Sequence, residues 1–237
     1  MTEAEWIAAT DPYDMLMHFP AKWDHRKLWL FGCACLRRVW HLLKDQRSRC
    51  CVELAERFVD GQASEQEAGE VWDRFFAAAD TETLEDFGGF DSYETIRNLV
   101  CFVDPGASLQ IASEVAEGVG GFAAQAVPVT PPATWSDTRT KEYRRAQREE
   151  RASQVKLLRD IFGNPFRSVS MDSSWLTPRV VELAHMIYDD RGFDRLPILA
   201  DALEEAGCTD ADILNHCRQP GEHVRGCWVV DLILGKS

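Results

Sequence analysis

From Asp24 to Lys44 the apolar residues fall on two neighbouring helical stripes. One stripe is Leu28, Phe31, Cys35, Val39 and Leu42, and the other is Trp29, Cys33, Leu36, Trp40 and Leu43. Together they cover about half the helix circumference, wider than a helix needs to line one side of a core, so this segment is predicted to lie at the centre of a helical bundle. Arg37, His41 and Lys44 recur on the remaining face, which reads as an edge turned to solvent or to a partner.

The rest of the chain carries the same period with matching punctuation. Thr2 with Glu5 and Ser64 with Glu67 have capping-box spacing, while Asp11-Pro12 and Thr177-Pro178 set a capping side chain before a proline at the first helical position. Gly61, Gly163, Gly192, Gly207 and Gly235 each follow an apolar periodic segment and read as stops. Further helices are expected at about residues 47–60, 64–80, 92–103, 107–125, 138–162, 178–190, 194–206 and 210–216, with a last one ending at Leu234. No run alternates apolar and polar residues in the manner of strands. The predicted fold is all-α: an N-terminal helical bundle or array over residues 1–126, a proline-rich linker over 127–138, and a charged helix with a compact C-terminal helical unit over 139–237.

The chain is acidic, with a formal charge of -13 that argues against a general nucleic-acid binder. Its opening residues show no basic stretch followed by an apolar one, and eight cysteines in a chain of this length, two of them adjacent at Cys50-Cys51, read as reduced thiols. A cytoplasmic protein is expected. The charge is unevenly spread, strongly acidic between Glu53 and Asn98 and basic between Arg139 and Asp160. Arg144, Arg145, Arg148 and Arg151 form the basic surface most suited to a partner, on a helix whose N-terminal half has little to bury. Glutamates alternate with these arginines, so an acidic protein surface fits better than phosphate.

The tail gathers Cys208, His216, Cys217, His223 and Cys227 within twenty residues. Thiolates and imidazoles are the usual partners of structural zinc. There is no C-x-x-C knuckle, however, and His216 and Cys217 diverge by about 100° if both are helical. The preferred reading is that these residues pack and cap, with no cofactor, and zinc is the alternative. A Cys–His nucleophile would need an orienting group and an oxyanion site that the sequence does not locate. Asp189, Asp190 and Asp194 read as helix-end residues, Asp194 as an N-cap, and Gly88-Gly89 and Gly120-Gly121 as helix breaks rather than phosphate loops.

The opening MTEAEWIAATDPYDML with LWLFGCACLRRVWHLL, and the ending LLRDIFGNPF, FDRLPILADALEEAGC and ADILNHCRQPGEHVRGCWVVDLILGK, resemble an uncharacterised family of planctomycete-type bacterial proteins that share this start and tail around a variable middle. The resemblance covers roughly half the chain and implies no activity or catalytic residues. The function expected is that of a non-catalytic interaction or adaptor protein of a bacterial cytoplasmic complex, with a zinc-binding protein and a nucleic-acid-associated accessory factor as the alternatives.

Overall fold

The computed structural model describes residues 1–18, 24–79, 90–100, 108–125 and 137–236. The protein is all-α, and no strand occurs among the described residues. Among the described residues twelve α-helices follow one another: α1 (Glu3–Ala8), α2 (Pro12–Met17), α3 (His25–Arg38), α4 (Gln46–Val59), α5 (Glu65–Ala79), α6 (Phe90–Val100), α7 (Ser108–Gln125), α8 (Asp137–Phe162), α9 (Pro178–Asp190), α10 (Leu196–Glu205), α11 (Ala211–Arg218) and α12 (Trp228–Leu234). None of them is long and apolar enough to cross a membrane.

The chain divides into two compact units. The first comprises Met1 and Ala8–Val155, and the second Thr2–Ile7 with Lys156–Ser237. Residues 127–136 of the expected linker lie outside the described residues, and the division falls instead within α8, between Val155 and Lys156.

In the first unit α7 packs against α3 and α6, and α4 against α3, α5 and α6. Every residue from Leu28 to Leu36 is buried, so α3 is enclosed on all sides, further than its two stripes require. Close approach depends on glycine at two points. A Cβ at Gly32 would lie 3.3 Å from Leu99 of α6 and 3.7 Å from Val115 of α7, and a Cβ at Gly118 would overlap the hydroxyl of Thr95. The helix stops at Arg38, short of the expected Lys44, and Val39 to Leu42 continue as turns. Trp40, expected in the core, is only half-buried. Its ring is flanked by the guanidinium groups of Arg37 at 4.1 Å and Arg49 at 5.5 Å. Arg37 does not face solvent alone, since it forms two hydrogen bonds to the buried Glu56 at 3.2 and 2.9 Å.

The N-terminal half of α8 is exposed at Arg144, Arg145 and Arg148, but it does not remain bare along its length. Glu150 is buried and receives Arg38 at 2.9 Å, Gln154 donates to the Ala116 carbonyl at 2.9 Å, and Arg151 pairs with Asp11 at 2.7 Å. Arg151 therefore departs from the basic surface expected of the four arginines, because its charge is spent inside the first unit.

In the second unit α9 packs against α10 and α12, and α11 against α10 and α12. The core holds Val180, Ile187, Tyr188, Leu199, Leu203, Ile213, Val230 and Ile233, all closed to solvent or nearly so. The caps follow the sequence. Thr177 accepts from the Val180 amide, Asp210 from Asp212 and Ile213, and Thr2 and Glu5 satisfy each other's amides at 2.7 and 3.3 Å. Two signals read differently in place. The left-handed residue ending α9 is Arg191 (φ 54°) rather than Gly192, and Asp194 sits inside a short 3-10 turn (Phe193–Arg195) without capping α10.

Leu36 is fully buried, so Leu36→Ala is expected to cost about 2–5 kcal/mol through lost transfer energy and the cavity left behind. Calorimetric unfolding measures it, and an unchanged melting temperature would place that stripe outside the core.

Candidate metal centre

The chemistry of the second unit concentrates where the end of α8 meets the tail. Asp160 lies in the buried run Leu157, Leu158, Asp160 and Ile161, a single acid among apolar residues and 3% exposed. One of its oxygens, Oδ2, accepts the Val224 amide at 2.9 Å. The other, Oδ1, faces two imidazoles: His223 Nδ1 at 2.5 Å and His216 Nε2 at 3.2 Å. The same Nε2 of His216 lies 3.2 Å from Cys227 Sγ. One donor atom from each of Asp160, His216, His223 and Cys227 thus lies within 4.8 Å of every other.

Each element positions its donor for a local reason. α11 is started by Asp210 and presents His216 in its last turn. Its neighbour Cys217 turns by one helical step into the core beside Val180, Leu203 and Ile213. After α11 the chain passes without regular structure through Gln219 to His223. Gly226, at φ 90°, then turns it so that Cys227 opens α12. The side-chain amide of Gln219 lies 3.1 Å from His216 Nδ1, and the His216 ring meets those of His223 and Trp228 at 4.9 and 5.1 Å.

Of the five residues singled out in the tail, the structure brings His216, His223 and Cys227 together. Cys208 and Cys217 do not join them and instead pack in the apolar core. Asp160 takes the fourth place, and sequence reasoning missed it because only the apolar residues of the C-terminal half of this helix were read as packing. Its signal was a carboxylate within that half, one turn after Leu157 and next to Ile161.

The electrostatics follow from burial and contact. Burial alone raises the Asp160 carboxyl, but hydrogen bonds from His216 and His223 outweigh it and hold the group below its ordinary value. For His223 burial favours the neutral ring, while the contact with Asp160 prevails and raises it. Its Nε2 is buried and makes no hydrogen bond among the described residues. Burial pushes the Cys227 thiol well above its ordinary value and the Cys217 thiol up to about 12.

A Cys–His nucleophile does not fit this arrangement. A catalytic imidazole holds the thiol on one ring nitrogen and its orienting acid on the other, whereas here both Cys227 and Asp160 approach the same Nε2. Cys227 is also closed to solvent, and its raised pKa keeps it a thiol. Convergence of donors on one point is what a metal ion requires. Zinc bonded at its usual lengths spans ligand–ligand edges of about 3.3–3.6 Å, close to the contacts His216 makes with Asp160 and Cys227, whereas the 2.5 Å contact of His223 with Asp160 is a hydrogen-bond distance that an ion would have to open.

Comparison of the chain with protein-family models, curated proteins and solved structures finds no match.

The metal-free unit has a pH dependence set by two opposite shifts. The lowered Asp160 contributes stability above the ordinary carboxylate value of 3.8, and this is lost as pH falls through its folded-state pKa. The raised His223 contributes stability fully present below the ordinary imidazole value of 6.5, and this is lost as pH rises through its folded-state pKa. In the presence of chelator the melting temperature of this unit should peak between those values, and His223→Gln should abolish the loss on the alkaline side. Calorimetry across a pH series measures both.

Proposed function

We propose that the C-terminal unit binds one zinc ion through Asp160, His216, His223 and Cys227, and that the protein is a non-catalytic interaction protein stabilised by that ion. The observation that carries the reading is the convergence of the four donors within 4.8 Å. A thiolate, two imidazoles and a carboxylate suit zinc, and four protein donors leave no open position for water or substrate, as in structural sites. Charge supports the same reading. Zinc with one thiolate and one carboxylate is neutral overall, which suits a site whose four side chains are almost closed to solvent. The ion would deprotonate the Cys227 thiol despite its burial, since a coordinated thiol is held as thiolate.

Purified protein should carry about one zinc per chain by native mass spectrometry, and chelation should lower its melting temperature, because ligands gathered in the fold are dispersed in the unfolded chain. Cys227→Ser and His216→Gln should each lose the ion. Protein free of zinc, with a melting temperature indifferent to chelator, would leave the cluster as a hydrogen-bonded network only.

The interaction role rests on the exposed arginines of α8. Arg144, Arg145 and Arg148 lie open on one helix, and Arg145 makes an exposed contact of 3.5 Å to Glu149. Reversing the three to Glu should change stability by less than about 0.5 kcal/mol each. The proteins that co-purify with the chain, compared between wild type and variant by mass spectrometry, should decrease in the variant. An unchanged set would remove this surface from the proposal.

A further inference from the structure

We propose that the N-terminal helix α1 is a clasp whose docking on the C-terminal unit is coupled to zinc at the Asp160 site, so that loss of the ion releases residues 2–7. This inference rests on the zinc reading above. Its basis is an interleaving of two sets of contacts along the end of α8 and the turn that follows. Arg159 donates to the carbonyls of Trp6 and Ile7, both at 2.8 Å, while Asn164 and Arg167 donate to the Glu3 carboxylate at 2.7 and 2.6 Å. Between these grips on α1 lies Asp160, the carboxylate of the metal cluster. Gly163 also lies between them, at φ 64°, pressed so closely against Trp228 that a Cβ there would stand 3.1 Å from the ring. Trp228 follows Cys227 and touches the His216 ring. Arg167 further reaches Asp212, at 3.6 Å, on the helix that carries His216.

α1 has no means of persisting alone. It is six residues long, well below the roughly 12–15 at which isolated helices become even marginal in water. It is held by the burial of Trp6, which is 1% exposed, by the Glu3 contacts and by Arg159 on its last carbonyls. Arg159 and Asn164 ride on the same backbone as Asp160. An ion joining Asp160 to His216, His223 and Cys227 fixes that backbone against α11 and α12, and so fixes the grips together. Removal of the ion leaves the end of α8 held by hydrogen bonds and packing alone, and the grips loosen as a set. Such a coupling must be reciprocal: whatever factor zinc adds to docking of α1, docking adds to zinc affinity.

The test uses the full chain in two measurements. Hydrogen exchange at the amides of Trp6 to Ala8 is compared with and without zinc, with the core amides of Leu199 and Ala200 as the internal reference. Exchange at α1 should quicken by about 5- to 150-fold on chelation, the span of ordinary allosteric couplings, ahead of the reference amides. Zinc affinity is then measured by competition with a chromophoric chelator in Glu3→Ala and Trp6→Ala. Neither residue is a donor at the site, and Glu3, which is partly exposed, is not needed for the core. Both variants should bind zinc more weakly, Trp6→Ala the more so. If chelation loosens the whole unit at once, the affinity of Glu3→Ala decides. A chain that binds zinc with α1 exchange unchanged, or with equal affinity in Glu3→Ala, overturns the clasp and leaves the zinc site standing. A wild-type chain that takes up no zinc overturns both.

Discussion

A carboxylate withdrawn from water must be compensated on both oxygens, and the folding of the tail follows from how Asp160 meets that requirement. Bringing such a group into the interior costs several kcal/mol before any partner is counted. The Val224 amide satisfies one oxygen and the two imidazoles the other. Two of these three partners lie in the irregular stretch between α11 and α12. That stretch forms no helix, and the buried charge adds to its turn hydrogen bonds, such as that from the Cys227 amide to the Val224 carbonyl at 3.0 Å. Removing a partner would leave the carboxylate uncompensated, a larger loss than the bond itself contributes. The position of Cys227 follows, since Val224 is anchored and Gly226 turns the chain just before it.

What the sequence made legible was local. Capping residues at Thr2, Asp11 and Thr177, and the burial of α3, rest on neighbours a few positions away, and these neighbours are present in any reading of the chain. Local signals gave way where a competing element occupied the same place. Asp194 could not cap α10 because a 3-10 turn took it up, and Arg191 entered the left-handed conformation one residue before the glycine that would adopt it at less cost. Three of the four residues of the site were likewise visible. His216, His223 and Cys227 are close in sequence, whereas Asp160 comes from a helix far upstream, and no spacing rule links them.

The charged residues show the same limit from the opposite side. Residue type alone assigns Glu56, Glu150 and Arg151 to water, because a charge is ordinarily kept there. Each is instead paired: Glu56 with Arg37, Glu150 with Arg38 through a forked contact, and Arg151 with Asp11. The planar guanidinium matches both carboxylate oxygens at once, which lets a glutamate enter the interior without being stranded. A charge block on a helix is thus a mixture of surface and buried pairs, and only the three-dimensional partner separates them. On α8 it leaves Arg144, Arg145 and Arg148 as the open part of the basic stretch.

In the zinc reading an ion would take the place of the protons in the tail cluster, and Gln219 would distinguish the two states. The Gln219 amide nitrogen lies 3.1 Å from His216 Nδ1, an arrangement that suits an accepting Nδ1 and a proton on Nε2, the nitrogen facing Asp160 and Cys227. With zinc on Nε2, that proton moves to Nδ1, which must then donate, and Gln219 has to present its carbonyl oxygen instead. The exchange requires only a half-turn of the terminal amide, in place and without movement of the backbone. In the zinc reading the ion would join four donors that already lie within 4.8 Å of one another, so that little further freedom would be lost, although the 2.5 Å contact of His223 with Asp160 would have to open to a ligand–ligand edge.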